Sequence, residues 1–73
     1  MKTLNDVAVG EYAVITKVHG EKTQKRRIMD MGLTHGTTVY IRKVAPFGDP
    51  IELTLRNYEL AIRKEDANNI EVE

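Results

Sequence analysis

Five glycines and two prolines cut this 73-residue chain into short pieces. Gly10, Gly20, Gly32, Gly36 and Gly48, with Pro46 and Pro50, fall at roughly the eight- to twelve-residue intervals of turns in a small all-β domain. A chain of this size buries only about 60% of the surface that its unfolded form exposes. It also has no cysteine, so neither a disulfide nor a thiolate metal site can staple it. Apolar burial and backbone pairing must hold the fold together.

The pieces read as follows. Leu4 and Val7 sit in an N-terminal turn before Gly10. Glu11 to His19 reads as a strand whose register is ambiguous, because Val14, Thr16 and Val18 share one face and Ala13 and Ile15 the other. Lys22 to Met31 is the one good helix, rich in helix-forming Lys, Arg, Gln and Met. Gln24, Ile28 and Met31 fall on one face. Gly32 stands where a C-terminal cap belongs, and Thr34-His35-Gly36 is a turn. Thr37 to Val44 is a β-branched strand with Val39 and Ile41 inward. After a loop, Ile51 to Leu55 alternates cleanly, with Ile51, Leu53 and Leu55 inward. Arg56-Asn57-Tyr58 is a tight turn, and Glu59 to Arg63 is the hairpin partner with Leu60 and Ile62 inward. Lys64 to Asn69 is a single helical turn that buries Ala67, and Ile70 and Val72 form a last short strand. The expected fold is mainly β: a small, closed or nearly closed barrel of about five short strands, one α-helix and a short C-terminal helical turn. The whole chain, 1–73, is expected to be one domain.

Charge and composition remove several functions. Eleven basic and eleven acidic residues balance to zero, which argues against a nucleic-acid binder. No apolar run could span a bilayer, and the N-terminal residues lack the apolar core of a signal peptide. The expected location is the cytoplasm. Nucleophilic catalysis needs a serine or cysteine beside a base, and neither residue occurs. No phosphate-binding glycine pattern is present, and the aromatic residues are too few for a proline-rich peptide groove. The chain is not expected to be an enzyme, and no cofactor is expected.

Three features remain. Lys22, Lys25 and Arg26 form a basic ridge on the helix, with Met29 one turn on. Such a run is ordinarily a solvated face, but basic residues around an exposed Met also suit an acidic protein partner. Ala45-Pro46-Phe47-Gly48-Asp49-Pro50 carries the only phenylalanine at its tip. Phe47 either tucks under the loop and plugs the barrel or stands out as an anchor for a partner. The two histidines, His19 and His35, are weak candidates for a metal site, with Glu21 and Asp30 as oxygen donors. Their spacing is not that of a zincin site, and solvated turn histidines are the plainer reading.

Three stretches resemble a known family. Ile28-Met29-Asp30-Met31-Gly32-Leu33-Thr34-His35-Gly36-Thr37 is similar to its helix, Gly-Leu and turn ending in Gly-Thr. Ala45-Pro46-Phe47-Gly48-Asp49-Pro50-Ile51 is similar to its Ala-Pro-x-Gly-Asp-Pro loop. Leu60 to Ala67, followed by Ile70 and Val72, resembles its last strand, helical turn and strand. The family is FeoA, ferrous iron transport protein A. The resemblance implies an SH3-like barrel that works in the cytosol beside FeoB, a membrane ferrous-iron transporter with a cytosolic G-protein domain. The family's turn commonly has proline where this chain has His35. The implied role is a protein-protein interaction module that regulates or assembles the transporter. Lys25, Arg26, Met29, Phe47 and Tyr58 are its expected contacts. The alternative is a ferrous-iron carrier or sensor using His19 and His35. Weak pairing between copies is also open.

Overall fold

Alternating β-branched and polar residues build most of this molecule, as a computed structural model covering Met1–Glu73 describes it. A 3-10 turn, Leu4–Asp6, precedes strand β1, Tyr12–Val18. Helix α1 spans Lys22–Asp30. Strands β2, Thr38–Val44, β3, Ile51–Leu55, and β4, Tyr58–Ile62, form a meander. Helix α2, Lys64–Ala67, leads into strand β5, Ile70–Val72. The strands form one antiparallel sheet in the order β4-β3-β2-β1-β5. This is a five-stranded SH3-like fold.

The sheet does not close on itself by pairing, because β4 and β5 each lie at an end of the order. The outer side of β5 is partly covered. Thr3 bridges Glu71, and the Val72 N–H donates to the Lys2 carbonyl at 2.9 Å. Nothing comparable covers β4.

Two bulges set the register. In β1 the pairing with β5 slips between Ile15 and Lys17, and in β2 the pairing with β3 slips between Ile41 and Lys43. An extra residue at a bulge shifts which side chains face inward. β1 therefore buries Ala13 and Ile15 before the bulge and Val18 after it. The two faces of the sequence pattern are both partly right, and that is why alternation alone left the register open.

The core is a cluster of sixteen apolar residues, among them Ile15, Ile28, Leu33, Val39, Ile41, Leu53, Leu55 and Ile70. Burying each Leu, Ile or Val contributes about 1.5–3 kcal/mol. Ile28 is the one residue of α1 that is fully buried, with Gln24 and Met31 half-buried beside it. Leu33 follows the Gly32 cap and is also buried.

Two boundaries differ from the sequence reading. Tyr58 is the first residue of β4, paired with Leu55, and not part of the turn. The turn is the two-residue Arg56-Asn57, and both residues have positive φ, 45° and 70°. That geometry matches the twist of a tight hairpin, although glycine and asparagine usually supply it.

Candidate docking surface

Helix α1 stands over the sheet with one face free. Ile28 anchors it to the core, which turns Lys22, Arg26 and Met29 outward and leaves Lys25 half-buried. Gly20, Lys22, Lys25, Arg26, Met29 and Asp30 line an open depression of about 570 Å³. Met29 is 44% exposed, so a flexible apolar side chain sits among three cations. Of the expected contacts, the structure brings Lys25, Arg26 and Met29 together here.

Arg27 belongs to a different part of the architecture. Its Nη2 donates to Asp66 Oδ1 at 2.7 Å, and Gln24 Nε2 donates to the same oxygen at 3.2 Å. Asp66 is only 4% exposed. A buried carboxylate is costly unless it is paired, and here α1 supplies both donors. Asp66 thus ties α2 to α1 rather than adding to an acidic surface.

Tyr58 closes the other end of α1. Its hydroxyl donates to the Met31 carbonyl at 2.5 Å, satisfying a carbonyl that the end of a helix leaves open. Arg56 Nη2 donates to the buried Thr37 hydroxyl at 3.1 Å. That hydroxyl also meets Thr34 Oγ1 at 3.1 Å. The hairpin β3–β4 is thereby fastened to the segment after α1. Tyr58 remains 42% exposed, but its polar end is already engaged.

Phe47 is 95% exposed, so it does not plug the barrel. The loop holds its shape without it: Gly48 N donates to the Ala45 carbonyl at 2.7 Å, and Lys64 N to Asp49 Oδ1 at 3.2 Å. A separate cleft of about 150 Å³ beside the loop, lined in part by Leu4, Val7, Val44 and Ile51, is not filled by the ring. The β2–β3 loop and the β3–β4 turn lie at opposite ends of β3, so Phe47 and Tyr58 cannot share one contact with a small partner group.

The histidines are not gathered into a metal centre. His19 Nε2 lies 2.8 Å from Glu71 Oε1, and both side chains are about one-third exposed. His19 is therefore a cross-strand partner and not a freely solvated turn residue. His35 is exposed in its turn. No three His, Asp or Glu side chains converge where they could hold a metal ion. The sequence gave no sign of two further constellations: the Asp66–Arg27–Gln24 tie and the Thr37–Arg56 link. Asp66 and Thr37 look like ordinary surface residues in the sequence, and only tertiary packing makes them buried.

The comparisons follow from this geometry. Residues 2–73 match the family model described as FeoA domain. This chain belongs to the FeoA family. It is 39% identical over 70 residues to the Fe(2+) transport protein A/Fe(2+) transporter FeoB fusion protein of Porphyromonas gingivalis. That match takes in 96% of this chain but only 8% of the fusion protein. The solution structure of an FeoA-like protein from Clostridium acetobutylicum superposes with a TM-score of 0.89 at 44% identity. It covers 97% of this chain and 83% of that one. Stenotrophomonas maltophilia FeoA, a procaryotic SH3 domain protein solved with zinc, superposes with a TM-score of 0.85 over 100% of this chain and 91% of that one. At 23% identity, this last likeness concerns the fold. No helix here is long and apolar enough to cross a membrane.

Proposed function

We propose that this domain is a cytoplasmic accessory module of ferrous-iron uptake that docks on an FeoB-type transporter and biases its state. The observation that carries the reading is the Porphyromonas gingivalis fusion, in which a domain 39% identical to this chain is part of the same polypeptide as an FeoB transporter. Covalent linkage holds two partners at high effective concentration, and a free domain needs a docking face to achieve the same end. The free face of α1 fits that need. Lys22, Lys25 and Arg26 ring the exposed Met29, and this suits an acidic patch with an apolar centre. Phe47 offers a second anchor at the far end of the sheet, and Tyr58 braces the helix that carries the first.

A module shifts its target only by the difference in its affinity for the two states. The target states nearest to hand are the nucleotide states of the transporter's G domain. The test is an NMR titration of the labelled protein with that G domain, with and without a GTP analogue. Shifts are expected at Lys22, Lys25, Arg26 and Met29, larger in one nucleotide state. Lys25→Glu with Arg26→Glu should weaken binding about tenfold or more, since like charges then face each other. Unchanged affinity in the folded double variant would remove α1 as the docking face.

A further inference from the structure

The open edge of β4 is a self-complementary surface, and we infer that two copies of this chain pair through it as antiparallel strands. The hairpin geometry decides which backbone groups are free. Across a two-residue turn the flanking residues form a hydrogen-bonded pair, here Leu55 and Tyr58. Pairing then alternates, so Leu60 and Ile62 point their backbone groups at β3 while Glu59 and Ala61 point theirs away from it. The Glu59, Ala61 and Arg63 amides have no acceptor outside the ladder. The side chains of Glu59, Ala61 and Arg63 are all exposed.

Charge selects one register. A two-fold axis at Ala61 sets Ala61 opposite its copy and Glu59 opposite Arg63 of the second copy, twice over. An axis at Leu60 would set Glu59 against Ala61, and an axis at Ile62 would set Glu59 against Glu65. Only the first register matches opposite charges across the strands, and directly opposed charge pairs favour pairing where like charges oppose it. Ala61 at the centre offers no bulk to hold the backbones apart. The Arg63 carbonyl already accepts from Asp66 and Ala67, so the strong bonds are Ala61 to Ala61, both ways, and the Arg63 N–H to the Glu59 carbonyl, both ways.

This closes the one uncovered end of the sheet. An open edge is ordinarily a route to uncontrolled association, and charged residues on it discourage pairing in the wrong register. Here Glu59 and Arg63 discourage every register but one. The interface is isologous, so it ends at two copies. The strand contact is short, and the dimer is expected to form at high micromolar to millimolar concentration rather than to be permanent.

Sedimentation equilibrium of the intact protein across that range tests the inference, with amide exchange measured by NMR alongside. The average mass should rise with concentration, and the Ala61 amide should gain protection as it does. Glu59→Lys alone places Lys opposite Arg63 of the second copy, and Arg63→Glu alone places Glu opposite Glu59. Each should weaken association about tenfold, because two symmetry-related contacts change sign. Glu59→Lys with Arg63→Glu should restore it. These positions are exposed, and the helix and sheet signals of each monomer report that the fold survives. A mass that stays monomeric to millimolar concentration overturns the inference. Association that ignores the single changes, or that the double change fails to rescue, assigns the contact to another surface and overturns it equally.

Discussion

Gly32 shows how much one position can carry. Its φ is +93°, and a Cβ added there would collide with the Tyr58 hydroxyl. Gly36 has a similar φ, +85°, but open space around it. The two glycines therefore separate backbone strain from steric clash. Gly36→Ala should cost about 1–2 kcal/mol, the penalty of a left-handed residue with a side chain. Gly32→Ala should cost more, because the same strain is joined by displacement of Tyr58 from the Met31 carbonyl. Tyr58→Phe alone should cost about 1 kcal/mol, the net worth of a hydrogen bond. If the clash is with the hydroxyl, Gly32→Ala should be less damaging in the Tyr58→Phe background than in the parent protein. Urea midpoints of the four proteins check this, and additive costs would show that the two residues do not meet.

The elements differ in how openly the sequence announces them. α1 and β3 were legible almost to the residue, since Gly32 ends the helix and Ile51, Leu53 and Leu55 alternate without a bulge. β1 was not, because the extra residue near Thr16 moves Val18 to the buried face that Ala13 and Ile15 occupy. Periodicity has no signal for a bulge. The placement of Phe47 was equally undetermined, because a lone aromatic between two prolines satisfies either a core or a surface. Structure resolves it by hydrogen bonds that hold the loop without the ring.

The tie between α1 and α2 was invisible in the sequence, and it makes a prediction about elements. α2 is a single turn, too short to be stable in isolation. Asp66 holds it against Arg27 and Gln24. Asp66→Ala should destabilise the protein by about 2 kcal/mol, as loss of charge-assisted hydrogen bonds in a buried place implies. Amide exchange should quicken in α2 and the first turns of α1 before it does in the sheet. Arg27→Ala should cost less, since Gln24 still donates to the carboxylate. Equal exchange rates in all elements of the Asp66 variant would mean that the tie is not local.

At the scale of the whole molecule the sequence named the family and the barrel but not the state of its edges. Turn spacing and the three motifs together specify the strand order of an SH3-like sheet. They do not say which outer strands are sealed. The structure treats the two ends unequally: the Lys2–Thr3 segment lies along β5, and β4 is open. A version of the protein that begins at Leu4 tests what that seal contributes. It loses the bond from Val72 to Lys2 and the bridge between Thr3 and Glu71. The expected loss is about 1–2 kcal/mol, from one or two hydrogen bonds at a partly buried edge, read as a lower urea midpoint and faster exchange at Val72. The shortened protein then has two open edges, and two open edges allow chains of copies where one allows only pairs. Its association should run beyond dimers, and Glu59→Lys should cut it back to pairing through β5 alone. An unchanged midpoint with unchanged association would show that the N-terminal segment seals nothing. The edge of β5 would then have to be kept from pairing by its own charges, Glu71 and Glu73.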